Sequence, residues 1–174
     1  MRMGMQRGRP RHAFLVILMG MDVVRSESAG KVYSGAKSCL AQMGQVASVV
    51  LLSELSVRVA WVNWNLYELP PCTPVCLKRR SYTQMVQDLS REYDRDRVLV
   101  VGQGAKALQA ALCAGVRFYP IVPQEEAVSW AKLQEEALPK LLHGTFGEVY
   151  QQQLLDWHRK CMPKGLHITD LYGR

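Results

Sequence analysis

Tyr93–Val122 reads YDRDRVLVVGQGAKALQAALCAGVRFYPIV, and this stretch decides the fold. Arg97–Val101 is a short apolar run ending at Gly102, where a turn follows. Ala105–Ala114 is rich in helix formers and closes on Gly115, which enters the left-handed region without a Cβ clash and so suits a helix end. Arg117–Val122 reads as a second buried strand. Strand, helix and strand in this order make a βαβ unit. Its right-handed crossover places the carboxyl end of the first strand, and the turn after it, beside a ligand crevice. That turn leads into Gln103, Lys106 and Gln109 and holds no acid.

Working outward, Phe14–Met19 predicts a buried strand. Ser34–Met43 predicts a helix, capped by Ser34 and ended by Gly44. Ala47–Leu52 (ASVVLL) is apolar apart from Ser48 and carries β-branched Val49 and Val50, as suits a strand covered on both faces, and Ser53 stands at its carboxyl end. From Glu54 to about Asn65 the spacing predicts a helix with Leu55, Val59 and Val62 inward. Trp61 and Trp64 read as packing residues. Pro70 and Pro71 break the pattern. Pro74–Leu77 is a short strand leading into Lys78-Arg79-Arg80, and Ser81 caps a helix to about Tyr93 with Tyr82, Met85, Val86 and Leu89 inward.

After Val122, Gln124–Leu138 predicts an amphipathic helix with Trp130, Leu133 and Leu138 inward, interrupted by Pro139. Thr145 caps a last helix to about Met162. Strands alternating with helices predict a doubly wound α/β fold with a parallel sheet. The expected organisation is a basic disordered leader at 1–12, one domain at 13–162 and a loose tail at 163–174.

At 174 residues and 48% apolar content the chain can bury one sizeable core. No apolar run is long enough to span a bilayer, so no membrane partner is expected. The net charge of +7 is concentrated at Arg2, Arg7, Arg9 and Arg11 and at Lys78–Arg80. No aromatics interleave the leader arginines, and no nucleic-acid-binding signature occurs. A solvated leader is therefore expected rather than a nucleic-acid contact.

Five cysteines are an odd number, spread along the chain. Cys72 and Cys76 lack a second pair to complete a zinc site, and Cys39 and Cys113 lie on apolar helix faces and are expected in the core. A reducing, cytoplasmic compartment fits this usage. Basic residues before Ala13–Met19 imitate the start of a signal peptide, but no small-x-small cleavage site follows, so a buried strand is expected there. The histidines His12, His143, His158 and His167 form no triad with a serine or cysteine and read as structural or exposed.

Three segments carry a resemblance: VYSGAKSCLAQMGQVASVVLLS, YDRDRVLVVG with LQAALCAGVRFYPI, and SWAKLQEEALPKLLHGTFGEVYQQQLLDWH. Their order and spacing, over residues 31 to 160, resemble the carboxyl-terminal portion of a haloacid dehalogenase-like (HAD) superfamily hydrolase. The resemblance implies a phosphatase-type reaction on a small phosphorylated molecule. An Asp nucleophile and a second Asp would act with a hydroxyl, a lysine and acids that hold Mg²⁺. A carboxylate can approach phosphate only where cations and donors offset the repulsion.

Carried over residue by residue, the hydroxyl maps to Ser53, whose other reading is a plain helix N-cap. The lysine falls close to Ser81, with Lys78, Arg79 or Arg80 as substitutes. Lys78 and the Gly102 turn amides complete the expected phosphate site. The metal acids fall at Gln103 and Ala107, neither of which is an anionic ligand. The nucleophile pair falls at Ile17 and Met19, and Asp22 is the only acid nearby. The expectation is a degenerate or truncated copy with weak or no activity. A non-catalytic phosphate- or nucleotide-binding or interaction module is the alternative. A third reading takes Gly102-x-Gly104-x-x-Ala107 as a dinucleotide fingerprint with Glu125 on the ribose.

Overall fold

A computed structural model describes residues 13–161. The predicted leader, the tail and the end of the last predicted helix at Met162 lie outside the described residues. Five strands make an all-parallel sheet: β1 (Leu15–Met19), β4 (Ser48–Ser53), β5 (Thr73–Cys76), β6 (Val98–Gly102) and β7 (Arg117–Pro120). Their spatial order is β5-β4-β1-β6-β7. Counted along the chain, the sheet strands run 3-2-1-4-5, a doubly wound, Rossmann-like order that reverses at β1. Ile17 pairs with Val50 on one side and Val100 on the other, so the middle of the sheet is wholly apolar.

Strand alternation sorts this apolar set onto two faces. Val16, Leu18, Leu51 and Val101 face one core, with Cys39, Leu40 and Met43 from α1 (Ala36–Val46) and Trp130 from α5 (Glu126–Lys132). Leu15, Ile17, Leu52 and Val100 face the other, with Met85 and Val86 from α3 (Tyr82–Ser90) and Leu108 and Ala111 from α4 (Ala105–Ala114). Edge strand β5 carries Pro74, which removes one donor from an exposed ladder.

Several predicted boundaries change. Helix α1 starts at Gly35, which has φ 83°, and not at Ser34, and it continues past Gly44 to Val46. Strand β4 includes Ser53, so Ser53 is no helix cap. Helix α2 (Val57–Leu66) is capped by the Ser56 hydroxyl, which accepts from Val59 N at 3.3 Å. The face of α2 predicted to be inward, Leu55, Val59 and Val62, is exposed. Ala60 and Trp64 on the opposite side are buried, and the Trp64 indole donates to the Pro70 carbonyl at 2.7 Å. In α3 the expected cap at Ser81 is a full capping box with Gln84.

Pro139 does not interrupt its helix. A π-helical turn at Leu133–Ala137 joins α5 to α6 (Leu138–Leu142), and a widened turn accommodates a ring that an α-helical ladder would reject. The last helix, α7 (Glu148–Lys160), starts from Gly147 rather than Thr145. Arg25–Ser26 (β2) and Lys31–Val32 (β3) form a small antiparallel hairpin that the sequence did not predict.

Candidate functional site at the carboxyl end of the sheet

The order of strands across the sheet reverses at β1, so the crevice lies where β1 and β6 end. Gly20 follows β1 and donates its N–H to Leu52 O at 2.9 Å. A 3-10 turn, Met21–Val23, then carries Asp22 towards Gln103 beyond β6. The Gln103 side-chain amide donates to the Asp22 carbonyl at 3.1 Å, and its own carbonyl lies 3.3 Å from the His158 ring. Gln103 thus ties β6, the turn after β1 and α7 together. His158 is buried, which pushes its pKa down, and the contact with the Gln103 carbonyl acts in the opposite direction.

The positions expected to carry the second acid of the nucleophile pair and a metal acid both border Gly102. A Cβ at Gly102 would stand 2.3 Å from Ala107 Cβ and 3.3 Å from Met19 Cβ. Glycine at 102 is what lets Ala107 at the start of α4 close on the end of β1. Met19 and Ala107 make an apolar plug there, and Ala107 belongs to the core shared with α3 and α4. Ile17, the other position expected for the nucleophile pair, is fully buried in mid-strand and does not reach the crevice. Met19 and Ala107 offer no side-chain oxygen ligand, and Gln103 offers only a neutral amide oxygen where Mg²⁺ takes carboxylates. These residues do not fit Mg²⁺.

Two clefts flank the plug. The first, of about 490 Å³, lies against the β2–β3 hairpin and is lined by Asp22, Arg25, Glu27, Tyr33, Gln103 and Glu126. Its carboxylates crowd one another: hydrogen bonding and repulsion from Asp22 raise the pKa of Glu27. Arg25 leaves this cluster for the Tyr67 hydroxyl at 3.1 Å. Among the described residues no group of three metal-capable side chains is close enough to hold an ion.

The second cleft, of about 260 Å³, is lined by Glu54, Leu77, Arg80, Tyr82, Lys106 and Gln109. Helix α4 has Gly104 at its N-cap and no side-chain cap, so the first amides of α4 keep their hydrogen-bonding capacity beside Lys106. Arg80 is paired with Asp88, and Glu54 shares the cleft, which leaves Lys106, near the start of α4, as its other cation. Burial raises the pKa of Tyr82, as do Glu54 and Asp22, so its phenol stays a donor at neutral pH.

The sequence-predicted phosphate site is only partly assembled. Gly102 is at the crevice, but the Lys78 side chain lines neither cleft. Lys78 (φ 47°) and Arg79 (φ 67°) are the central residues of a turn closed by Arg80 N to Leu77 O, and it is the exposed Arg80 that reaches the second cleft. Ser53 is 4% exposed and its hydroxyl has no hydrogen-bond partner. By alternation it shares the face of Leu51, away from Lys106. Lys106 and Tyr82 are the site residues that sequence reasoning did not assign. The signal was present in Lys106, which stands two residues after the uncapped Gly104. Glu125, expected on a ribose, accepts from the Trp157 indole at 3.3 Å.

No family model matches the chain, and no curated protein matches it. The fold itself is α/β with a five-stranded parallel sheet. Among the described residues no helix is long and apolar enough to cross a membrane.

Proposed function

We propose that this chain is a HAD-like α/β scaffold that has lost its phosphatase chemistry and binds the phosphoryl group of a small phosphorylated molecule without hydrolysing it. The observation that carries this reading is the contact of Met19, Gly102 and Ala107. Where the resemblance calls for carboxylates around a metal, Ala107 and Met19 border Gly102 so closely that not even a Cβ fits at 102. An acid at Ala107 would be buried and unpaired there. The strand order, with the plug at the point of reversal, supports a ligand at this end of the sheet. The Lys106 cleft, with the uncapped α4 amides, supports an anion as that ligand.

The test is titration of the purified chain with inorganic phosphate and with p-nitrophenyl phosphate, with and without Mg²⁺. Saturable phosphate binding is expected, weakened about tenfold in Lys106→Gln, because a charge-assisted hydrogen bond is worth about 1.5–3 kcal/mol. No turnover is expected. Mg²⁺-dependent turnover that EDTA abolishes would restore the hydrolase reading, and absence of phosphate binding would remove the binding one.

A further inference from the structure

The smaller of the two clefts carries one unpaired charge of each sign. Lys106 reaches it from the first turn of α4, and Glu54 from the residue after β4. Both are exposed, and among the described residues neither forms a salt bridge, with the other or with any third side chain. The remaining cation of the cleft, Arg80, is neutralised by Asp88. Leu77 and Tyr82 give the same cleft an apolar wall, and Tyr82 is the one aromatic among its described lining residues. The Glu54 carboxylate also raises the pKa of the Tyr82 phenol, after the larger effect of burial, so the two side chains lie within electrostatic reach.

We propose that the ligand of this cleft is a zwitterionic phosphomonoester, a short alkyl phosphate that carries an ammonium group. The proposal rests on the phosphoryl-binding reading above and adds Glu54 as the residue that selects among phosphorylated molecules. Lys106 takes the phosphoryl group through a charge-assisted hydrogen bond. Glu54 takes the ammonium. The carbon stem between the two lies on Leu77 and on the Tyr82 ring, and an aromatic face also attracts a cation.

A phosphomonoester without the ammonium fits less well. It carries a charge of about −1.5 to −2 at neutral pH and would leave Glu54 facing like charge with no counter-ion. Size agrees with a short ligand, since a volume of about 260 Å³ falls just below that of clefts for drug-sized molecules. The larger cleft is the wrong place for the phosphoryl group. It is lined by the carboxylates of Asp22, Glu27 and Glu126, and Arg25, the basic residue among its described lining, is bonded to Tyr67.

Isothermal titration calorimetry of the full chain tests this with phosphoethanolamine, with ethyl phosphate, which lacks the ammonium, and with inorganic phosphate. The parent should bind phosphoethanolamine about fivefold more tightly than ethyl phosphate, the scale of one exposed ion pair. Glu54→Gln should bring the two ligands to equal affinity, weakening the first and strengthening the second. Lys106→Gln should weaken both. Glu54 and Lys106 are exposed, so thermal unfolding of either variant should match the parent. Equal affinities in the parent would overturn the proposal while leaving phosphoryl binding in place. A preference that survives Glu54→Gln, or that is lost in Glu27→Gln instead, would do the same. Absence of saturable binding by all three ligands would overturn the phosphoryl reading and this one with it.

Discussion

Gly102 and Ala107 approach so closely that a Cβ on Gly102 would lie 2.3 Å from that of Ala107. Neither atom is the end of a flexible side chain, so the clash could be relieved only by moving the β6–α4 turn. Gly102→Ala should therefore destabilise the protein by about 3 kcal/mol, the upper range for overpacking. Ala107→Gly in the same chain should recover part of the loss. Urea unfolding of the parent, single and double variants measures this coupling, and additive losses would show that the contact is not responsible.

Replacing Ala107 by Asp, which would supply the missing acid, puts an unpaired carboxylate at a buried site. A loss of about 3 kcal/mol or more is expected, without Mg²⁺-dependent phosphatase activity. The readouts are chemical unfolding and p-nitrophenyl phosphate hydrolysis, and a stable, active variant would contradict the account of the plug.

Lys78 and Arg79 both have positive φ at the centre of a turn closed by Arg80 N to Leu77 O at 3.0 Å. Two positive φ values in succession define a type I′ turn, which favours Asn-Gly and strains residues with long side chains. Lys78→Asn with Arg79→Gly should raise stability by about 1 kcal/mol. An unchanged or lowered unfolding midpoint would count against that strain.

His158 is buried, and its folded pKa lies below the ordinary value of about 6.5. The sign follows from which state takes the proton. Below about pH 6.5 the unfolded chain protonates this ring and the folded one resists, so stability is complete above that pH and falls as pH drops towards the folded pKa. His158→Gln should flatten this slope between about pH 7 and 5, read from urea midpoints at each pH.

Burial pushes the thiols of Cys39 and Cys72 up to about 12, whereas Cys113, expected in the core, is exposed on α4. Only thiolates react, so a thiol reagent at neutral pH should label Cys113 quickly and Cys39 only on unfolding. Mass mapping of early products checks the order, and early labelling of Cys39 would mean that α1 opens readily.

What the sequence determined about this protein is what short-range physics encodes. The apolar β-branched runs at Ala47–Leu52 and Val98–Val101, the Ser81 cap, Gly115 with its φ of 68° and the βαβ crossover were legible because each depends on neighbours within a turn or a strand. The parallel, doubly wound class follows from their alternation. Tertiary structure alone decided the rest. Helix α2 has apolar residues on two sides, and only packing against the sheet chose Ala60 and Trp64 over Val59 and Val62. Pro139 could stay in a helix only because a π turn precedes it. The candidate site joins Met19, Gly102 and Ala107 across more than eighty residues of chain. Those side chains can be read from the sequence, but periodicity reports only which way a residue points within its own element. Which ends of which strands meet, and whether the space between them is cleft or plug, is fixed by the order of strands in the sheet.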